Sequence, residues 1–313
     1  MTSLFRHPRT ALPAVALLAA ALTAGCDRGT SGSTGAPAAV ATTTASTATA
    51  SAGPADAAFK DLEQHFGARL GVYALDTGSG REVAYRPDER FAFASTIKSL
   101  LTGALLRTAS DQELDKVVTY RQEDVLAWAP ITSQHVATGM KVRDLAAAAI
   151  EYSDNTAANL LLTELGGPEA LQRTLRDLGD PTTNVNRNEP ALNEATPGDP
   201  RDTSTPRAFA ADLRRYALGD VLTEDRRRLL TDWLVGNTTG APFIRAGVPA
   251  DWKIGDKTGT AGYGTRNDVA VAWPSGGRGP IVLVVLSDRG KADATSDDAL
   301  IAEATKAVVT ALG

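Results

Sequence analysis

Three short stretches of this chain set a hydroxyl beside an amine or an amide. In "FAFASTIKSLLTGALL", Ser95 and Lys98 stand three residues apart at the entrance of an apolar run. On a helix those two side chains share a face, so the amine lies where it can take the hydroxyl's proton. A serine is a weak nucleophile until a base does this, and a lysine can serve only when its pKa is lowered. Further on, Ser153-Asp154-Asn155 opens the stretch "NTAANLLLTEL", and "DKTGTAG" carries Lys257, Thr258, Gly259 and Thr260. Strand alternation sends Thr258 and Thr260 to one face and Lys257 and Gly259 to the other. A fourth pair, Glu189 and Asn193, has the chemistry to orient and deprotonate a water, the carboxylate as base and the amide as its clamp. Each stretch alone also has a plain structural reading as a helix start, an N-cap, a strand end or a pair of solvated side chains.

Elements must bring these stretches together. "ADAAFKDLEQHF" has helical apolar spacing, and "ARLGVYALDTGSGREVAYRPDE" reads as two strands around a Gly-rich turn. Helical patterns fill 95–108, 142–150, 155–165, 168–178, 205–218 and 223–235. Strand signals return in "WKIGDKTGTA", "RNDVAVAWP" and "PIVLVVLSD", and a last helix spans about 295–311. Strands at both ends with helices between predict an α+β fold. Its antiparallel sheet is assembled from both ends of the chain, an all-helical lobe spans about 89–234, and the site lies in the cleft between them. Residues 180–204, with four prolines and no period, read as a packed omega-type loop.

The ends and the composition narrow the function. With 37 acidic against 32 basic residues, a net charge of −5 and no dense basic run, nucleic acid is not an expected partner. His7, His65 and His135 have no companions at ligand spacing, so no metal or other cofactor is expected. Arg6 and Arg9 precede the uncharged apolar run "ALPAVALLAAALTAGC", which reads as an export signal over 1–26. Its last residue, Cys26, is the only cysteine and falls where a bacterial lipoprotein is cleaved and lipidated. Residues 27–55, rich in Ala, Thr, Ser and Gly, read as a flexible linker, which starts the folded unit at 56 and runs it to 313.

Ser-x-x-Lys, Ser-Asp-Asn and Lys-Thr-Gly, in that order and on helix, helix entrance and strand, resemble the motif set of the class A serine β-lactamases. The resemblance spans 56–313: "RNEPALNEATPGDPRDTSTPRA" looks like that family's omega loop, and "VLAWAPIT", with Trp128, like its cleft edge. It implies a monomer that opens β-lactams through an acyl-serine. Ser95 would be the nucleophile and Lys98 its activating neighbour, with Lys257 helping to lower the pKa of Lys98. The N–H groups of Ser95 and Thr260 would form the oxyanion hole, and Ser153 would pass a proton to the leaving nitrogen. Trp128, Asn155, Thr258, Gly259, Thr260 and Arg266 would bind substrate. Glu189, with Asn193, would activate the deacylating water, and Arg187 and Asp202 would pair across the loop's neck. Departures exist too: Asn188 replaces a usual aromatic, and Phe243 stands where some members carry an arginine. A D-Ala-D-Ala peptidase that stays acylated, or a non-catalytic cell-wall or β-lactam-sensing lipoprotein, are the competing readings.

Overall fold

The structure is a computed structural model that describes residue 53 and residues 55–313. The expected export signal with Cys26, and all of the linker except residues 53 and 55, lie outside the described residues. Helix α1 (Asp56–Phe66) leads into a hairpin of β1 (Arg69–Asp76) and β2 (Glu82–Tyr85), followed by a short β3 (Phe91–Ala92). Next come α2 (Ile97–Thr108), α3 (Asp111–Asp115), the short strands β4 (Val117–Val118) and β5 (Met140–Lys141), then α4 (Val142–Glu151), α5 (Asn155–Leu165) and α6 (Pro168–Leu178). After the long loop, β6 (Thr203–Ser204), α7 (Pro206–Ala217), α8 (Glu224–Val235) and the single turn α9 (Ile244–Gly247) return the chain to the sheet. It ends in β7 (Lys253–Thr260), β8 (Arg266–Trp273), β9 (Ile281–Asp288) and α10 (Asp298–Leu312).

The main sheet has the order β2-β1-β9-β8-β7, and every neighbouring pair is antiparallel. Period-two alternation gives each face its own core. Val269, Val271, Val282, Val284 and Leu286 face the helical lobe, while Ala270, Ala272, Ile281, Leu283 and Val285 pack with α1 and α10 on the other side. A sheet buried on both faces explains why 269–273 of β8 and 281–286 of β9 are uniformly apolar. β7, which carries Lys257, is left at the open edge.

Helix α2 occupies the middle of the helical lobe, with every residue from Ile97 to Leu106 buried. An apolar girdle all round a helix is what such a position requires. The α-helix begins two residues later than the sequence suggests, because Ala94–Thr96 forms a 3-10 turn that carries Ser95. The long loop is not structureless: it holds a 3-10 turn at Ala191–Asn193, and β6 pairs with β3 so that Phe91 lies opposite Ser204 and Ala92 opposite Thr203. α3 and α9 were not legible in the sequence pattern. Both are about one turn long, too short to show a period.

Where α2 meets α7 the fit is tight. A Cβ on Gly103 would lie 2.6 Å from Cγ of Tyr216, a ring that is itself fully buried. Helix propensity favours Gly103→Ala by about 1 kcal/mol, but overpacking against an immobile ring costs about 1–3 kcal/mol. Gly103→Ala is therefore expected to be destabilising, measured as a lower denaturant midpoint at unchanged slope.

Candidate active site

Ser95 lies at the bottom of a cleft of about 480 Å³ between the edge of the sheet and the helical lobe. Its position is enforced from both sides. Ala94 is held at φ 51°, a left-handed conformation that costs a non-glycine residue free energy. Asn267, fully buried in β8, donates from Nδ2 to the carbonyls of Ala92 at 2.8 Å and Phe93 at 3.2 Å. As the second residue of the helical run, Ser95 has an N–H without an intrahelical acceptor.

Lys98 is fully buried one turn on. Its Nζ lies 2.9 Å from Ser95 Oγ, 2.9 Å from the Ser153 carbonyl, 2.6 Å from Asn155 Oδ1 and 3.0 Å from Glu189 Oε1. Ser95 Oγ donates in turn to Glu189 Oε1 at 3.1 Å. The serine proton thus has two basic neighbours, an amine and a carboxylate. Burial lowers the pKa of Lys98, and the Glu189 charge opposes that shift.

Ser153 stands at φ 57°, just before α5. Its Oγ accepts from Lys257 Nζ at 2.9 Å and lies 3.4 Å from Lys98 Nζ. The following residue, Asp154, holds this corner in place. Its buried carboxylate caps α5 at Ala157 N (2.9 Å) and accepts from the N–H groups of Ile131 (3.0 Å) and Thr132 (2.9 Å). Asn155 N–H donates to the Trp128 carbonyl at 2.9 Å, which fixes the cleft edge. The Trp128 side chain stands on that rim, 58% exposed.

Lys257, also fully buried, donates to the Thr258 carbonyl at 2.9 Å as well as to Ser153. Its pKa falls to about 7, first through burial and then through the charge of Lys98. Burial is the first cause of the lowered pKa of both lysines, and the repulsion between the two cations, which belongs to the pair, adds to it at Lys257. Beside it, the space above Gly259 is closed: a Cβ there would meet the Phe93 carbonyl at 3.0 Å and Ala94 Cβ at 3.1 Å. Any side chain at 259 would push β7 away from the serine turn.

The long loop is locked on three sides. At its neck Asp202, fully buried, accepts from Arg187 Nε at 2.5 Å and from the N–H groups of Asn186 and Arg187 at 2.8 and 3.0 Å. Asn193 Nδ2 donates to Glu189 Oε2. Asn159, one turn after Asn155 on α5, clamps the Glu189 backbone in both directions, accepting from its N–H at 2.9 Å and donating to its carbonyl at 2.8 Å. The sequence reading missed Asn159, although its place four residues from Asn155 on one helix face was a usable signal.

The open end of the cleft is cationic. Arg266 Nη1 donates to Thr260 Oγ1 at 2.5 Å, its Nε donates to Asp298 Oδ1 at 2.5 Å, and the guanidinium lies 4.8 Å over the Phe243 ring. Phe243 therefore supports the arginine across the cleft. Asp298, Asn267 and Thr239, a wall of the cleft, were not among the residues singled out by sequence.

The family model described as "Beta-lactamase enzyme family" matches residues 54–312. A β-lactamase of Amycolatopsis lactamdurans is 56% identical over 255 residues, covering 82% of this chain and 84% of that protein. The β-lactamase AST-1 of Nocardia asteroides is 53% identical over 312 residues, covering 98% and 97%. Among solved structures, a class A β-lactamase from Clostridium kluyveri superposes with a TM-score of 0.81 at 48% identity, covering 82% of this chain and 97% of that one. A halotolerant bacterial β-lactamase gives a TM-score of 0.81 at 54% identity, covering 82% and 98%.

The buried ammonium of Lys257 has a consequence for stability. Its folded pKa of about 7 lies below the ordinary value of about 10.4. Below pH 7 both states hold the proton and the folded state bears the full burial cost. Between the two values only the unfolded chain binds the proton, so stability rises with pH. Chemical denaturation at pH 7 and pH 9.5 should show wild type gaining on the order of a few kcal/mol relative to Lys257→Met.

Proposed function

The chain belongs to the class A serine β-lactamase family, and from that premise we propose how its own residues open and clear a β-lactam. Ser95 Oγ attacks the lactam carbonyl while its proton passes to the Lys98–Glu189 pair. The N–H groups of Ser95 and Thr260 receive the oxyanion, where loss of one donor typically costs ~10²–10³ in rate. The C–N bond then breaks, and the nitrogen takes the Ser153 proton, replaced from Lys257 or Lys98 through contacts of 2.9 and 3.4 Å. Thr258, Thr260 and Arg266 hold the carboxylate, Asn155 the side-chain amide, and Trp128 the outer edge. Gly259 leaves β7 close enough to the serine turn for the substrate to lie along the strand.

The second half of the cycle separates a hydrolase from a penicillin-binding protein. Its support is one observation: a carboxylate, Glu189, fixed 3.1 Å from the nucleophilic oxygen. Asn193 gives its Nδ2 to that carboxylate and keeps a buried Oδ1 without a protein partner among the described residues. Together they offer a water one base and one acceptor on the side of the acyl group away from β7. Glu189 takes the water's proton, hydroxide adds to the acyl carbon, and the bond to Ser95 Oγ breaks as that proton passes from Glu189 to Oγ, 3.1 Å away. A peptidase that remains acylated needs no such pair.

Export of the domain and its attachment through lipidated Cys26, as a monomer on a flexible linker, complete the proposal. The apolar leader ending in the only cysteine supports it. In cell fractionation, wild type should sediment with membranes and Cys26→Ala should move to the soluble fraction. Equal solubility of both would overturn the anchor.

Removal of the Glu189 carboxylate is the decisive experiment. In Glu189→Ala, intact-protein mass spectrometry after a penicillin quench should show one adduct on the peptide holding Ser95. That adduct should outlast wild-type turnover by ~10²–10⁴-fold, the usual worth of a positioned general base. Equal turnover by both proteins would show that the loop does not supply the base.

A further inference from the structure

Thr258 is a proposed donor to the substrate carboxylate, yet in the free enzyme its proton is already committed elsewhere. The direction of each hydrogen bond behind it can be fixed by elimination. Asn237, buried beneath the cleft wall, accepts at Oδ1 from the backbone N–H of Thr239 at 3.1 Å, and its Nδ2 donates to Asp256 Oδ2 at 2.8 Å. A backbone N–H can only donate, so the amide orientation is settled: oxygen faces Thr239 and nitrogen faces Asp256. Arg245 Nε holds the other oxygen of Asp256 at 2.7 Å and anchors the array.

Thr239 Oγ1 lies 2.8 Å from the same Asn237 Oδ1. That oxygen has no proton, so Thr239 must give its only one. Thr239 Oγ1 and Thr258 Oγ1 are 2.6 Å apart. With the Thr239 proton already used, Thr258 has to be the donor in this pair. The chain of protons therefore runs from Thr258 to Thr239 to Asn237, away from the cleft. Thr260 differs: its oxygen accepts from Arg266 at 2.5 Å, which leaves its own proton free for a ligand.

We infer that Thr239 is a positioning residue that weakens the carboxylate subsite by holding the Thr258 proton. A carboxylate carries no proton of its own. To be met by Thr258 it must turn that hydroxyl round, and the hydrogen bond to Thr239 is lost. If Thr239 turns to donate in its place, its bond to Asn237 is lost and two unprotonated oxygens face each other. Either way ligand binding breaks one neutral hydrogen bond inside the protein. This inference rests on the reading that Thr258 touches the substrate carboxylate.

Thr239→Val tests it, because it keeps the shape and the backbone bond to Asn237 and removes only the hydroxyl. Binding is read in a Ser95→Ala background, where no acyl-enzyme forms, by NMR titration with benzylpenicillin and with its methyl ester. Thr239→Val should tighten benzylpenicillin by roughly two- to tenfold, the usual net worth of one neutral hydrogen bond. Thr239→Ala should act in the same direction, Thr239→Ser should match the parent, and the ester should not respond to any of them. Unchanged or weaker benzylpenicillin binding in both Thr239→Val and Thr239→Ala overturns the inference. Thr258→Val in the same background separates the two levels. Weaker benzylpenicillin binding there upholds the subsite and leaves Thr239 to be judged on its own. Unchanged binding removes Thr258 from the carboxylate site, and the role of Thr239 with it.

Discussion

Two ammonium groups with no exposure to water, Lys98 and Lys257, govern the architecture of this cleft. Taking one such ion out of water costs several kcal/mol even after relaxation, and only close, correctly directed oxygens recover it. Lys98 can donate three protons and has four oxygen acceptors within 3.0 Å. Those acceptors come from its own helix, from the Ser153 corner, from α5 and from the long loop. No local run of sequence could supply them. The long-range pairings elsewhere in the fold serve largely to deliver these oxygens and to keep them there.

Strain enters at the points of delivery. Ala94 and Ser153 both sit at positive φ, at 51° and 57°, although neither is glycine. Such conformations cost of order 1–3 kcal/mol each and persist only where the surroundings over-determine them. The surroundings can be named. Asn267 grips the carbonyls before Ala94, and Asp154 draws four donors around the corner after Ser153. Rigid, fully bonded side chains thus hold the two serines at the geometry that the buried lysines need. A glycine at 94 would relax the backbone and loosen the Ser95 hydroxyl with it, whereas a glycine at 153 would remove the hydroxyl altogether.

The sequence revealed what depends on short spacing. The sheet strands, the long helices and the four chemical stretches show themselves through periods of two or 3.6 residues, or through i, i+3 and i, i+4 pairs. Ser95 with Lys98 and Glu189 with Asn193 are of this kind. Arg187 with Asp202 was legible only through family resemblance. The supporting residues were hidden because their partners are far off in the chain. Asn159 serves Glu189 from 30 residues away, Asp298 meets Arg266 across 32, and Asn267 reaches Phe93 across 174. A lone asparagine in a strand, such as Asn267, carries no pattern that distinguishes it from a solvated one, whereas Asn159 had only its spacing of four from Asn155 to mark it.

A cleft assembled in this way is nearly complete before substrate arrives. Ser95, Ser153 and Thr258 are each hydrogen-bonded within the protein, and Arg266 already has Asp298 and Thr260 as partners. At these groups ground-state binding exchanges protein contacts for substrate contacts and gains little from each exchange, the free proton of Thr260 being an exception. The transition state is different. In the proposed mechanism its oxyanion meets the N–H groups of Ser95, in the turn before α2, and of Thr260, at the end of β7, and its protons move along oxygens and nitrogens already at bonding distance. Interactions that improve only as charge develops raise turnover without trapping substrate or product. In a hydrolase that must release every acyl group it forms, a self-satisfied resting site and a responsive transition-state site follow from the same buried lysines.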